Sequence, residues 1–461
     1  MTGPWRRVWA ARRMGKTRPV ETDLRDLCER DDLSGIGGWL AGRQPHEIAD
    51  ELARLDAVTA GVPFRLLDKD RALAVFEELD PPDQQRILAG LRDHTFRDLI
   101  EAMDPDDRAR MLGEAPAKVV KRVLAGLSPH ERRMTAALLG YPENAVGRIM
   151  TPETVAVPQG LTAAAALEVV RAKGAAAETV YTLPVVDAGR RLGGVVELRD
   201  LVLSEGDRPV ADLTVGDVAR VRATDPAEAA ARLMRETNLL ALPVVDSEDR
   251  LLGLLTIDDA VEIIEAADTE DAARQSGAAP WAGHYVSASV FQLARSRALW
   301  LLLLIVAATL TVNVLQVFEA TLEQVTALAL FIPLLVGTGG NAGAQAATAA
   351  VRALAVGELR GGDLLRVVWR ECRVGLLLGG MLAAVGLVLG TVLVGVEIAV
   401  VVSVSLVLIC AWAASVGGVM PLAAKRFGID PAVVSAPLVT TLVDATGLII
   451  YFVTARIVLG L

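Results

Sequence analysis

The stretch FIPLLVGTGGNAGAQ, residues 331–345, lies inside a long apolar segment and sets the character of the second half of the chain. It holds four glycines and two side-chain amides, which a lipid-facing helix does not need. Irregular backbone at membrane depth is stable only where protein buries it or a water-filled cavity satisfies its carbonyl groups. The alternative is a tight crossing of two helices through small residues. We favour pore-lining backbone, with Asn341 and Gln345 as oxygen ligands, because a carboxylate follows in a later apolar segment.

That carboxylate is Asp444, near the middle of PLVTTLVDATGLIIYF, residues 437–452. An ionisable group at this depth is costly unless it faces a polar interior, so it marks a functional site by default. Pairing with a buried base is disfavoured, because no Lys or Arg occupies the core of any apolar segment. Thr440 precedes Asp444 by one helical turn. Carboxylate, hydroxyl, amide and carbonyl oxygens together predict a site for a hard, hydrated cation such as Mg2+.

Five apolar segments reach about the 20 residues that span a bilayer. They cover residues 298–316, 324–351, 374–396, 398–423 and 432–458. The basic residues between them fall on alternate connections: Arg295, Arg297, Arg352, Arg360, Arg366, Arg370, Arg373, Lys425 and Arg426. By the positive-inside rule, an α-helical membrane domain over residues 291–461 has the N-terminal half of the chain in the cytoplasm and the C-terminus outside. Only Arg456 runs against this pattern.

The rest of the chain is acidic, since residues 1–290 hold 48 of the 56 acidic residues but only 36 of the 46 basic ones. Nucleic acid is excluded as a partner because phosphate binding needs a basic face, whereas cations fit this charge. The three cysteines, Cys28, Cys372 and Cys410, show neither metal-ligand spacing nor a disulfide framework. We find no nucleophile–base pair and no phosphate loop, so an enzyme is the least favoured class.

The N-terminal region combines a basic tail, residues 1–20, with a helical repeat over residues 21–143. The tail has no long apolar run and is not read as a signal peptide. Leu79-Asp80-Pro81, Met103-Asp104-Pro105 and Leu127-Ser128-Pro129 recur every 24 residues. Each places Asp or Ser before Pro, which is typical of a helix N-terminus. Helix pairs at a fixed period predict an all-α superhelix.

A second repeat occupies residues 144–206 and 207–257. Both copies contain LPVVD, a turn, Leu-x-Gly and a second apolar strand that ends near Asp200 or Asp259. Each copy therefore predicts a helix–strand–strand–helix unit, and together they resemble a pair of CBS domains, an α+β fold. CBS pairs bind adenine nucleotides, so the resemblance implies a candidate ATP site at Arg199 and Asp200. Glu197 stands where a Ser or Thr is usual.

The stretch DDAVEIIEAADTED, residues 258–271, holds seven carboxylates and no basic residue. On a helix, five of them form one column: Asp258, Glu262, Glu265, Asp268 and Asp271. Like charges at these spacings destabilise a helix by a few tenths of a kcal/mol each, so helix stability does not call for them. The alternative is a solvated face. We predict instead an uncompensated acidic connector over residues 258–290 that responds to divalent cations.

The order of these regions resembles the MgtE-type magnesium channels and transporters over nearly the whole chain. GTGGNAGAQ at 337–345 and DPAVVSAPLVTTLVDATGL at 430–448 carry the resemblance most specifically. It implies a homodimer in the plasma membrane, with the pore between protomers and lined by the second and fifth segments. Asp444 would bind the hydrated ion, and the implied pore residues are Gly337, Gly340, Asn341, Thr440 and Asp444.

The same resemblance implies that the acidic helix is a plug and that cytosolic Mg2+ closes the pore. The regulatory acids it implies are Asp106, Glu228, Asp259, Glu262, Glu270, Asp271 and Asp430. This sequence departs from the family at Pro226 and Asn238, where acids can occur, and at Ala436, where a polar residue can line the pore. Weaker or differently tuned regulation is therefore expected.

Two other functions remain in view beside a magnesium-selective, magnesium-gated channel or transporter. One is a broader divalent carrier for Co2+, Ni2+ or Mn2+, although dehydrated transition metals favour His or Cys ligands, which the sequence lacks near Asp444. The other is a nucleotide-sensing membrane regulator without transport, which leaves Asp444 unexplained. A competition assay separates the first from a magnesium-selective protein.

Overall fold

A computed structural model describes residues 23–90, 93–113, 115–279, 288–434 and 436–461. The predicted basic tail and residues 280–287 of the predicted linker lie outside this part of the chain. The chain forms two compact units, and the sequence passes from the first to the second between Ile263 and Ile264. Each unit is described by itself below.

The first unit begins with a series of short helices. Their bounds are Leu24–Glu29 (α1), Leu33–Ala41 (α2), Pro45–Ala53 (α3), Ala57–Arg65 (α4), Lys69–Glu77 (α5), Pro81–Gly90 (α6), Asp93–Ala102 (α7), Pro105–Gly113 (α8), Ala117–Gly126 (α9) and Pro129–Leu139 (α10). Helices contact the second helix further along, as α3 does α5 and α8 does α10. One apolar core runs through these contacts. The predicted superhelical stacking is thus confirmed.

The 24-residue repeat marks helix starts, as the sequence predicts. Pro81, Pro105 and Pro129 are the first residues of α6, α8 and α10. Ahead of α10, Ser128 Oγ accepts a hydrogen bond from the backbone N–H of Glu131 at 3.3 Å. The backbone N–H groups in the first turn of a helix have no hydrogen-bond partner within the helix. Proline has no N–H at this position, and the hydroxyl of the preceding residue accepts a hydrogen bond from another of these groups. The Asp-Pro or Ser-Pro pair at the start of α6, α8 and α10 therefore sets the 24-residue period of the stacked helices.

Two sheet-containing repeat units complete the first unit. The bounds are Val157–Pro158 (β1), Ala163–Lys173 (α11), Thr182–Val186 (β2), Leu192–Glu197 (β3), Leu198–Leu203 (α12), Val210–Leu213 (α13), Val221–Arg222 (β4), Ala227–Thr237 (α14), Ala241–Val245 (β5) and Leu251–Thr256 (β6). In each unit the first strand is parallel to the second, and the second is antiparallel to the third. The predicted helix–strand–strand–helix pattern is confirmed, with one short additional strand in each copy.

The glycine of the Leu-x-Gly motif has a packing reason in both copies. A Cβ on Gly194, whose φ is +152°, would overlap the carbonyl oxygen of Val215, and one on Gly253 would overlap the carbonyl oxygen of Thr151. Another backbone segment approaches β3 and β6 closely at these points, since Thr151 and Leu254 exchange backbone hydrogen bonds of 2.8 and 3.0 Å. The motif therefore needs glycine because another main-chain segment approaches the strand closely at this position.

A single helix, Ile257–Gln275 (α15), carries the acidic run. After it come Val290–Val317 (α16), Glu319–Gln324 (α17), Ile332–Ala355 (α18), Leu364–Val394 (α19), Val396–Arg426 (α20) and Ala436–Leu459 (α21). Five of these helical segments are long and apolar enough to cross a membrane, and the second includes the 3-10 turn Thr326–Phe331 ahead of α18. The five predicted spans are confirmed. The third helix begins ten residues before the predicted position, and its first turns carry arginines.

Glycines let the antiparallel helices α19 and α20 lie close together. A Cβ on Gly375 would overlap the carbonyl oxygen of Cys410, and one on Gly379 would lie 2.7 Å from Cα of Val407. Larger residues would force these helices apart, which is the packing mode of small residues in membrane proteins. Helix α16, by contrast, has no buried residue. Its apolar surface is left for lipid or for another chain.

Candidate functional site: a membrane carboxylate and a cluster of acids in the soluble region

Asp444 lies where α21 crosses α18 in the second unit. A Cβ on Gly340 of α18 would lie 3.3 Å from Thr440 Cγ2 and 3.4 Å from Asp444 Oδ1. The structure therefore brings together three of the predicted pore residues. Among the described residues, none forms a hydrogen bond or ion pair with the Asp444 side chain, which is only partly buried. A carboxylate without a protein partner inside an apolar helix is available to a cation.

The other two predicted pore residues lie on a different face of the same helix. Gly337 and Asn341 are exposed, one turn apart, and Gln345 continues the exposed face by a further turn. A Cβ on Gly337 would meet nothing within 4 Å. Gly337 and Asn341 do not contact Asp444 within one chain. They form a small-residue and amide surface next to it.

The glycine-rich stretch 337–345 is regular helix, which corrects the prediction of irregular backbone. It lies within α18, Ile332–Ala355. A Cβ on Gly339 would lie 2.6 Å from Ile409, and the carbonyl oxygen of Gly343 lies against Gly417. Two of the glycines thus serve the close helix crossing that was the alternative interpretation. The helix remains regular because its own i to i−4 hydrogen bonds satisfy the backbone in an apolar medium.

In the first unit, Asp106, Glu178 and Asp259 form a carboxylate cluster. One oxygen from each lies within 4.8 Å of the others. Asp106 is the second residue of α8 and is 5% exposed, and its Oδ1 has no hydrogen-bond partner among the described residues. Asp259 accepts a hydrogen bond from Thr256 Oγ1 at 2.7 Å. Three carboxylates at this spacing are suited to a divalent cation.

The pKa values of the three carboxylates are raised, although the side chain of Glu178 is exposed to solvent. Burial raises the pKa of Asp106 well above its ordinary value, and the charges of Asp259 and Glu178 raise it further. Burial also raises the pKa of Glu178 to about 7 and that of Asp259 to about 6. A bound cation would favour the charged forms and would offset these shifts.

Glu178 was not predicted from the sequence. It follows α11 in the first repeat unit, far along the chain from Asp106 and Asp259, and no local pattern distinguishes it. A second carboxylate group was missed as well and consists of Glu77, Asp104 and Asp107. Only the tertiary stacking of the helices brings these residues together.

The prediction of an uncompensated acidic column is wrong, because arginines from other parts of the chain pair with it. In the first unit, Arg110 forms an ion pair with Glu262. In the second unit, Arg274 pairs with both Glu270 and Asp430. Three of the predicted regulatory acids are therefore already neutralised by guanidinium groups. The repulsion along α15 is smaller than the charge count of residues 258–271 suggests.

Three more of the predicted acids have partners. Asp268 lies 4.0 Å from Arg352. Glu228, in the first turn of α14, pairs with Arg232 one turn later. Asp271 is partly buried in α15 and has an interaction partner too. Of the predicted regulatory acids, only Asp106 and Asp259 meet in a carboxylate cluster.

The candidate nucleotide residues lie at the N-terminus of α12. Arg199 and Asp200 are exposed, and no described residue forms a hydrogen bond or an ion pair with either side chain. Glu197 accepts a hydrogen bond from Thr182 Oγ1 at 3.2 Å. The unusual residue at this position is thus used within the sheet.

Comparison with protein families gives matches along most of the chain. A family described as "Divalent cation transporter" (MgtE) matches residues 332–454. The "MgtE intracellular N domain" matches residues 43–144, and the CBS domain matches 146–205 and 210–266. These matches cover the crossing of α18 and α21 as well as the acid cluster.

Individual relatives agree. A "Magnesium transporter MgtE" of Thermus thermophilus is 41% identical over 95% of this chain and 98% of its own length. One of Enterococcus faecalis is 34% identical over 68% of this chain and 69% of its own. A crystal structure described as the cytosolic domain of the Mg2+ channel MgtE in complex with ATP shares 33% identity, covers 53% of this chain and 100% of that chain, and has a TM-score of 0.49.

Five membrane-spanning helices, a membrane carboxylate and a large soluble region define a multidomain membrane transport protein rather than an enzyme. The match to the Thermus protein, 41% identical over 95% of this chain, decides which kind of transport protein this is. The chain belongs to the MgtE family of transporters.

Proposed function

We propose that this protein carries Mg2+ across the plasma membrane into the cytoplasm through a pore formed between two copies of the chain. The observation that carries the proposal is Asp444, a carboxylate inside an apolar helix with no base beside it among the described residues. Mg2+ dehydrates reluctantly and is held through oxygen ligands and retained water. A single carboxylate with Thr440 and Asn341 nearby suits a hydrated ion.

A second copy would complete the pore. The exposed face of Gly337, Asn341 and Gln345 adjoins Asp444 but has no partner within the described part of one chain. Opposed to its symmetry mate across a two-fold axis, this face would line a path with two carboxylates and four amides. The arginine-rich connections support an orientation with the soluble regions in the cytoplasm and the C-terminus outside.

Cytoplasmic Mg2+ is proposed to close this pore. Asp106, Glu178 and Asp259 join α8, the first repeat unit and the start of α15, so one divalent ion there would hold three segments of the first unit together. Such an ion shifts a conformational equilibrium only by binding one state better than the other. The burial of Asp106 and the partial burial of Asp259 without a cation supply that difference.

Two finer proposals concern ligands. A broader divalent specificity is disfavoured, because Gly340 and Thr440, which meet Asp444 at the helix crossing, offer none of the nitrogen or sulfur ligands that Co2+ and Ni2+ prefer. ATP binding at the repeat pair is supported by Arg199 and Asp200, which are exposed and face no protein partner among the described residues.

The transport proposal is tested by Mg2+ uptake into proteoliposomes. Asp444→Ala should abolish uptake and Asp444→Asn should remove most of it, while both variants elute as folded dimers. Asp363→Asn is the control, since this carboxylate lies just before α19, where it forms an ion pair with Arg366 and accepts a hydrogen bond from the backbone N–H of Arg360. Uptake at the wild-type rate by Asp444→Ala would overturn the assignment. Adding Co2+, Ni2+ or Mn2+ as competitors tests the broader specificity.

A further inference from the structure

Arg274 occupies the position between two acids for which the family resemblance implies Mg2+. It lies in the last turn of α15, and its guanidinium donates hydrogen bonds to Glu270 on the same helix and to Asp430 in the turn before α21. The other oxygen of Asp430, Oδ1, accepts a hydrogen bond from the backbone N–H of Ala432 at 2.9 Å. Both carboxylate oxygens of Asp430 are therefore already used.

The chain just after α15 is attached to the same unit by further contacts. Gly277 adopts a left-handed conformation with φ +73°, and the indole of Trp300 on α16 lies directly against it. Two residues later, the N–H of Ala279 donates to the carbonyl oxygen of Ser296 at 2.9 Å. The Arg274 ion pairs thus belong to a continuous attachment of the helix end to α16 and to the turn before α21.

The geometry points to Arg274 as a resident cation, which holds the end of α15 to the turn before α21 in place of a divalent ion. This inference rests on the proposed gating by α15 and deepens it. It assigns Arg274 as a positioning residue. The end of the helix stays attached when Mg2+ is withdrawn, and the response to Mg2+ comes from the Asp106, Glu178 and Asp259 cluster.

The chemistry of the two cations supports this division. A guanidinium keeps its charge at every physiological pH and presents several donors in a fixed fork, so it can join two carboxylates at once. A Mg2+ ion entering the same place would have to displace it and also lose part of its own water shell. In the cluster of Asp106, Glu178 and Asp259, Asp106 Oδ1 is buried without a partner among the described residues. A Mg2+ ion that binds Asp106 Oδ1 therefore has no guanidinium to displace from it.

Hydrogen–deuterium exchange of residues 264–279 tests the inference in the full-length chain in lipid nanodiscs. The wild-type segment should be protected equally in EDTA and in millimolar Mg2+. Arg274→Gln should lower protection in EDTA by about fivefold, the upper range for partly exposed ion pairs. Mg2+ should restore it, because Glu270 and Asp430 can then share a divalent ion. Arg274→Lys, which keeps the charge but not the fork, should lose less protection than Arg274→Gln.

Three outcomes would overturn the inference. The wild-type segment could become protected only when Mg2+ is added. Arg274→Gln could be protected as well as wild type in EDTA. Both Arg274 variants could lose protection that Mg2+ does not restore, which would indicate a purely structural side chain. Arg171→Gln, which removes an exposed pair with Glu168 on α11, is the control. Hydrogen–deuterium exchange is measured without transport, so this result can be interpreted even if the proposal for Asp444 fails.

Discussion

Gly340 faces Asp444 across the crossing of α18 and α21, at a separation that a methyl group would fill. A methyl group at residue 340 would lie 3.4 Å from Asp444 Oδ1 and 3.3 Å from Thr440 Cγ2. The glycine therefore sets the free space on one side of the carboxylate. An ion that keeps its water needs that space.

Gly340→Ala should consequently lower Mg2+ uptake more than it lowers stability. The added methyl group is tolerated by small side-chain shifts, but it stands where water bound to the ion would lie. Gly380→Ala in α19 is the control, because its Cβ would meet nothing within 4 Å and the residue is not part of the proposed pore. Proteoliposome uptake measures the difference. Equal uptake by Gly340→Ala and wild type would show that this face of Asp444 is not used by the ion.

Gly417→Ala tests the helix crossing by itself. A Cβ there would overlap the carbonyl oxygen of Gly343, so α18 and α20 would have to separate. Overpacking of this kind destabilises by about 1–3 kcal/mol. Gly380→Ala in α19, where nothing lies within 4 Å, should be neutral or slightly stabilising because alanine favours helix. Thermal unfolding in detergent compares the two. A neutral Gly417→Ala would contradict the close crossing.

Glu178→Gln tests the acid cluster through a residue that sequence patterns do not reveal. Removing one carboxylate should reduce repulsion in the free protein and weaken divalent binding. A tenfold loss of affinity lowers the stabilisation by saturating Mg2+ by about 1.4 kcal/mol. The rise in melting temperature between EDTA and millimolar Mg2+ should therefore be smaller than in wild type. Glu168→Gln, on the exposed face of α11, is the control. An unchanged rise would exclude Glu178 as a ligand.

Much of the architecture could be predicted because local sequence patterns specify it. The prolines before α6, α8 and α10, the LPVVD repeats and the five apolar spans each specify their elements without reference to the rest of the chain. The same holds for Asp444, whose cost in an apolar segment is visible from its neighbours alone. The contact of Gly340 with Thr440 and Asp444 follows once α18 and α21 cross.

Charge compensation could not be predicted in this way. Arg110 pairs with Glu262 and Arg274 with Asp430, and each of these pairs joins residues more than 150 positions apart. A run of seven acids with no base inside it therefore suggests an uncompensated column, although Arg274, three residues beyond the run, also pairs with Glu270. The regular helix at residues 337–345 was missed for a related reason. Glycine composition fits both irregular backbone and close helix packing, and only the neighbours Ile409 and Gly417 distinguish them.

Glu77, at the end of α5, gives a stability prediction with a definite sign. Burial, with the charges of Asp107 and Asp104, raises the pKa of Glu77 from 4.5 to about 8. The folded protein therefore binds this proton more tightly than the unfolded chain. Between these two pKa values the folded state holds more protons, so the free energy of unfolding falls as pH rises from about 4.5 to about 8.

Glu77→Gln removes the ionising group but keeps its size. The variant should match wild type near pH 4, where Glu77 is mostly protonated in both the folded and the unfolded state, and should melt at a higher temperature than wild type near pH 8. The measurement is the difference in melting temperature between variant and wild type across this range, in EDTA so that no divalent ion contributes. Glu236→Gln, on an exposed part of α14, is the control. A difference that does not grow with pH would mean that Glu77 is solvated and titrates as in the unfolded chain.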